Sequence, residues 1–152
     1  MALVRTYEAS ITMVNKALRH HRLSAAGRQA LAVLEGAGRP LSPTTISERL
    51  LVTTASVTSL LDTLERRGLI ARLQDPDDRR KLLISLTEEG QQAVDQFLPE
   101  IVALQTAVMA GLSEAERQRL LRSLTVIREA IAAVDADSVV AAAHRRVKPR
   151  RP

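Results

Sequence analysis

Apolar residues return at helical spacing along most of this chain and switch to strict alternation only once. Leu3, Tyr7, Ile11, Val14 and Leu18 share one stripe, which predicts an amphipathic helix over residues 3–20. His20, His21 and Arg22 place positive charge at its C-terminal end. Ser24 is a candidate N-cap for a second helix running to about residue 35, with Ala30, Leu31 and Leu34 inward. The glycine- and proline-rich stretch 36–40 stops it. Ser42-Pro43 pairs a hydroxyl cap with proline at the first helical position, and opens a short helix over 43–50 that buries Ile46 and Leu50. Thr53 or Thr54 caps a fourth helix, whose stripe is Val57, Leu60, Leu61 and Leu64. Gly68 suits the left-handed residue at its end.

The period then changes. Residues 69–73 and 82–86 read as strands, the second with Leu82, Ile84 and Leu86 on one face, and Asp75-Pro76-Asp77 between them is turn chemistry. Thr87 opens a helix to about Met109, with Glu88 and Glu89 in its first turn; Pro99 inside it predicts a kink, and Gly111 closes it. Ser113 and Glu116 form a capping-box pattern before a last helix to about residue 135, carrying Leu120, Leu121, Leu124, Ile127, Ile131 and Val134. Past Asp137 the pattern fades: 139–143 reads as a short helical extension and 148–152 as disordered chain.

Helix, tight turn, helix and two strands over residues 41–90 is the order of a winged helix-turn-helix. The expected fold is therefore mainly α with a two-stranded β-wing, the winged motif flanked by N- and C-terminal dimerisation helices. In residue terms, 1–23 and 92–136 form the helical dimerisation region, 24–91 the winged DNA-binding domain, and 137–152 a basic, partly disordered tail. The flanking apolar stripes exceed what one small winged domain covers, which predicts a homodimer.

Composition narrows the function by exclusion. The net charge of +5 comes from 22 basic and 17 acidic residues, but Arg145, Arg146, Lys148, Arg150 and Arg151 all lie in the tail, so residues 1–143 are balanced. A nucleic-acid footprint in the body must then come from local placement of charge. The tail is either solvated charge or an electrostatic arm that raises DNA affinity without reading sequence. There is no cysteine, so neither a disulfide framework nor a thiol switch is expected. No apolar run approaches a membrane span and the N-terminus lacks a signal-peptide plan, which leaves a cytoplasmic protein with no membrane partner. No phosphate loop, nucleophile elbow or metal-ligand spacing is present, so no enzyme, cofactor or metal is expected. His20 and His21, neighbours on a helix, would point about 100° apart and fail to chelate one ion together.

The run VTSLLDTLERRGLIARLQDPDDRRKLLISLTEEG, residues 57–90, closely resembles the MarR family of bacterial regulators. The likeness rests on Val57-Thr58, Leu64-Glu65-x-x-Gly68-Leu69-Ile70, Asp78-Arg79-Arg80 and Leu86-Thr87-Glu88-x-Gly90 in register, and with the flanking helices it extends over nearly all of 3–135. It implies a triangular homodimer on double-stranded DNA at a pseudo-palindromic operator. Each fourth helix would enter a major groove, each wing would reach a minor groove, and a small-molecule effector would bind between the dimerisation helices and the winged domain. Many members are repressors. Carried over by position, the base contacts would be Thr53, Thr54, Ser56, Thr58 and Ser59, and the wing contacts Arg79, Arg80 and Lys81.

Two departures stand out. Where many members carry arginine or lysine, this chain has Thr54 or Ser59, and hydroxyls read several base edges, so readout should be less guanine-specific. Leu51 stands where the turn often has glycine. In the wing, Asp78 with Arg80 matches the family's structural ion pair, leaving Arg79 and Lys81 freer for phosphates or a narrow minor groove. On composition alone the hydroxyls at 53–59 are caps on a solvated face and 75–81 a solvated turn; only their register with each other raises the DNA reading. The alternative is a winged-helix module for protein interaction that has lost sequence-specific DNA binding. Tyr7 and Phe97, the large aromatics, read as core, and Arg22 and Arg28 are the cations able to meet an anionic effector, with no signal selecting either. Effector-binding residues are not assignable from the sequence.

Overall fold

The computed structural model describes residues 2–78 and 80–146, with side chains taken as far as Ala141. Arg79 and the end of the basic tail, 147–152, lie outside the described residues. The chain forms two compact units that divide between Ala107 and Val108.

In the first unit, helix α1 spans Ala2–Ala17 and buries no residue of its own. It is shorter than the stripe predicts, because the chain tightens at Leu18 into a 3-10 turn, Arg19–His21, closed by Arg22 in the left-handed conformation at φ 54°. Of the predicted stripe Leu18 is fully buried, whereas Leu3 and Tyr7 are exposed, so Tyr7 is not a core residue. Ser24 caps α2 (Ala25–Ala37) by accepting from the Gly27 amide, and Gly38 ends the helix left-handed. Ser42 and Pro43 start α3 (Pro43–Leu50) as expected. Thr53, and not Thr54, caps α4 (Thr54–Arg66).

Strands β1 (Ile70–Gln74) and β2 (Leu82–Leu86) pair antiparallel, with Ile70 opposite Leu86 and Gln74 opposite Leu82. Leu41 adds a single bridge beyond β2, exchanging both backbone hydrogen bonds with Ile84 (3.0 and 2.8 Å). That bridge anchors the start of the winged motif to its sheet. Ile84 is buried, but Leu82, at the free end of the wing, is exposed. Helix α5 (Glu88–Met109) begins where the Thr87 hydroxyl accepts from the Gly90 amide. Gly90 is required here by proximity: a Cβ would sit 1.9 Å from the Leu69 carbonyl oxygen. Val94 and Phe97 of α5 complete a core with Leu31, Leu34, Ile46, Val57, Leu61, Leu64 and Ile84.

The second unit contains α6 (Glu114–Ala133), opened by the full Ser113–Glu116 capping box, and α7 (Ala136–Arg146). Helix α7 exceeds the short extension that the fading apolar pattern predicts. Asp135 starts it, accepting from the Ser138 amide and hydroxyl at 3.2 and 2.7 Å, so a local cap supplies what the periodicity lacks. No helix among the described residues is long and apolar enough to cross a membrane.

Candidate nucleic-acid interface

With Val57, Leu61 and Leu64 turned inward, a rotation of about 100° per residue puts Ala55, Ser59, Asp62 and Arg66 along the opposite side of α4, flanked by Thr58 and Thr63. All six are exposed. The five candidate hydroxyls divide by what already engages them. Thr53 Oγ1 accepts from the Ser56 amide (3.3 Å) and shares a hydrogen bond with Ser56 Oγ (2.9 Å), so these two form the cap. Thr58 Oγ1 donates back to the Thr54 carbonyl at 3.1 Å. Among the described residues the hydroxyls of Thr54 and Ser59 have no internal partner, which leaves both free for an external acceptor or donor. Sequence reasoning did not single out Arg66, the one cation on this side; its guanidinium donates to the Asp62 carbonyl and to Thr63 Oγ1.

The turn into α4 is strained. Leu51 sits in the left-handed region at φ 55°, ψ 42°, with 87% of its surface exposed. The position thus demands a glycine-like backbone and receives a branched residue, at a cost of about 1–2 kcal/mol. The left-handed turn closes α3, with the Leu51 amide donating to the Glu48 carbonyl.

Besides the shared apolar core, a polar tie joins the wing to α4. Arg72 on β1 donates to Asp62 at 2.5 Å and to Glu65 at 2.7 Å. Hydrogen bonding to Asp62, then the charges of Glu65 and Asp62, hold its guanidinium even more firmly protonated than an ordinary arginine. The guanidinium offsets one of the two negative charges that Asp62 and Glu65 place on α4. At the wing tip Asp78 accepts from the Arg80 amide (3.1 Å) and guanidinium (3.3 Å), as the family-like ion pair predicts. Lys81 is less free than expected: its ammonium lies 3.6 Å from the second Asp78 oxygen, because the turn that bonds the Lys81 amide to the Asp78 carbonyl folds its side chain back over the same carboxylate. Both cations remain exposed.

A cavity of ~320 Å³ lies among α1, α2 and α5, with Ile11, Val14, Ile101 and Val102 on its apolar walls and Asn15 and Arg28 as polar lining. Arg28 is only 3% exposed. Its guanidinium donates to the Leu23 carbonyl and to Asn15 Oδ1, both at 2.6 Å, and burial pushes its pKa down. Among the described residues no carboxylate pairs with it. A buried cation held by neutral acceptors alone is suited to an anion.

The expectation that His20 and His21 diverge fails. It assumed an α-helix, but the 3-10 turn and left-handed Arg22 bring the ring centroids to 4.0 Å and aim both rings at Glu100 of α5. The close nitrogens of His21 and then His20 hold the Glu100 carboxyl below the usual carboxylate range.

Residues 31–82 match the model of the MarR family. The chain is 40% identical over 84 residues to the HTH-type transcriptional repressor YetL of Bacillus subtilis, an alignment covering 55% of this chain and 50% of YetL. The chain thus spans about half the length of the curated relatives it matches at that identity. Longer alignments, 31% identical over 82% of both chains, join it to HTH-type regulators of Bacillus cereus. Among solved structures, MepR of S. aureus in complex with DNA superposes with a TM-score of 0.75 at 26% identity, covering 85% of this chain and 96% of MepR. BpsR of Bordetella bronchiseptica, whose DNA binding is regulated by 6-hydroxynicotinic acid, gives 0.74 at 27% identity over 84% and 96%.

Proposed function

The chain belongs to the MarR family of transcriptional regulators, and from that premise we propose that it is a homodimeric DNA-binding repressor released by a small anionic effector. The observation that carries the reading is the α4–wing pair: an exposed hydroxyl-bearing helix face joined through Arg72 to a hairpin whose tip exposes Arg80 and Lys81. Ser59 and Thr54 are the free hydroxyls positioned for base edges, while Thr53, Ser56 and Thr58 act through the cap and helix backbone. Arg79, Arg80 and Lys81 would supply phosphate or minor-groove contacts from the wing. Repression is supported by the likeness to YetL, and DNA as partner by MepR. The second copy is supported by the exposed apolar residues of α1 and α6. No catalytic role forms part of this reading.

The effector is assigned to the Arg28 cavity, which offers apolar walls and one buried cation. A small carboxylate would meet the guanidinium and bury its apolar body against Ile11 and Val102. The likeness to BpsR, regulated by a carboxylic acid, supports the class.

Fluorescence anisotropy on DNA from just upstream of the gene, with shuffled DNA as control across a salt series, tests the reading. Binding at least about a thousandfold tighter to the native fragment is expected, and a panel of aromatic carboxylates should include one that releases it. Arg79→Ala should weaken binding and lower the salt slope by about 1. Equal binding of wild type to both fragments would overturn the specific repressor, and an absence of binding to either would favour the protein-interaction alternative.

A further inference from the structure

One cluster belongs neither to the α4–wing face nor to the Arg28 cavity. Glu100 on α5 meets His20 and His21, eighty positions earlier, and the three donor atoms lie within 4.8 Å of one another. The hydrogen-bonding roles decide what this cluster wants. His20 Nδ1 lies 3.1 Å from the Ala17 carbonyl, which can only accept, so this nitrogen carries the proton. In the neutral ring Nε2 then points a lone pair at Glu100 Oε1, 3.4 Å away. His21 Nε2 is 3.2 Å from the other carboxylate oxygen but out of line for a hydrogen bond. It is a buried atom with no hydrogen-bond partner among the described residues, on a side chain only 9% exposed.

Two imidazole nitrogens and a carboxylate, all within 4.8 Å of one another, converge on one point as possible donors to a cation. A single divalent ion satisfies all three groups at once. Tetrahedral coordination at zinc bond lengths separates ligand atoms by about 3.3–3.6 Å; His20 Nε2 lies 3.4 Å from one oxygen of the Glu100 carboxylate and His21 Nε2 3.2 Å from the other, so a small closure of the cluster reaches that range. The His20 Nδ1–Ala17 contact is the outer-shell bond that fixes a metal-binding imidazole in the right tautomer. We propose that His20, His21 and Glu100 form a site for a divalent transition-metal ion of zinc type, with water in the fourth position on the side where His20 and Glu100 are open. Two imidazoles and one carboxylate favour zinc over the hard ions magnesium and calcium, which take oxygen ligands. The bound ion would fasten the α1–α2 junction to the middle of α5.

The test uses the full, tag-free chain, freed of metal by chelation and titrated with Zn2+ against a chromophoric chelator. Co2+ serves as a second probe, through its visible absorption when four-coordinate. One ion per chain is expected, and a rise in melting temperature with zinc. Glu100→Gln and His20→Gln, both at partly exposed side chains, should each weaken zinc by about a hundredfold or more, since outer-shell changes alone cost ten- to hundredfold. Melting curves without metal check that the variants fold. Lack of saturable binding, or an affinity within about threefold of wild type in either folded variant, overturns the site. The readout involves no DNA, so failure of the repressor reading leaves it standing and the reverse.

Discussion

Helices α4 and α6 are built to the same plan and end in opposite environments. Each starts on a hydroxyl cap, Thr53 or Ser113, and each carries a leucine-rich stripe at helical spacing. In α4 the stripe is covered by its own chain: Val57, Leu61 and Leu64 are all buried. In α6 no residue is buried, and Leu121 and Ile131 are exposed at 59% and 71%. A buried leucine gains roughly 1.5–3 kcal/mol from leaving water, so α4 is held by tertiary packing while α6 can gain that stabilisation only by finding a cover. The lesson is that periodicity specifies a helix and its apolar side, and says nothing about whether the same chain supplies the other half of the contact.

The largest test of this contrast is Leu61→Ala, which should cost about 2–5 kcal/mol in urea unfolding because it leaves a cavity in the closed core. A loss below about 1 kcal/mol would mean that the site collapses freely and the core is looser than its burial indicates. On α6, Leu124→Asp combined with Ile131→Asp should instead change association. Wild type is expected to sediment as a dimer and melt at a temperature that rises with concentration, and the variant to lose both properties. A variant that remains dimeric would remove α6 from the interface. Smaller still is Leu51→Gly at the turn before α4. Relief of left-handed strain, about 1–2 kcal/mol, less about 0.5–1 kcal/mol of added chain entropy, leaves a gain of up to about 1.5 kcal/mol.

The smallest effect separates the caps. Hydrogen bonds from the Ser113 hydroxyl and then its amide hold the Glu116 carboxyl below the ordinary carboxylate value. A depressed folded pKa contributes stability that is complete above the unfolded value and is lost as pH falls through the folded one. The first turn of α6 should therefore lose amide protection in acid, and Glu116→Gln should abolish that dependence. The hydroxyl cap of α4 has no carboxylate partner and should show none. Equal acid sensitivity at both helix starts would contradict the assignment.

Local chemistry was legible in the sequence wherever a few neighbouring residues suffice. Ser24, Ser42 and Ser113 announce their helices, and the Leu82–Leu86 alternation announces the wing. The resemblance identified Asp78–Arg80, but the sharing of Asp78 with Lys81 depends on how the hairpin turn closes. Arg72 looked like any outward strand residue, because its role exists only when β1 lies beside Asp62 and Glu65. Arg28 was one of two candidate cations until packing buried it without a carboxylate. An α-helix through His20 and His21 sets their rings apart, whereas these residues form a 3-10 turn, and Glu100, eighty positions away, has no local signal that joins it to them. Tyr7 was misplaced because the α1 stripe, like that of α6, remains largely exposed.

Arg72 has a mechanical consequence as well. Its two ion pairs couple α4 and the hairpin as a single lever with its fulcrum at α4. From Arg72 to the tip near Asp78 the hairpin extends about 15–20 Å at strand rise, so tilting α4 by about ten degrees sweeps the tip through about 3 Å. That displacement is as long as a hydrogen bond. A small rotation of α4 is thus amplified at the far end of the hairpin.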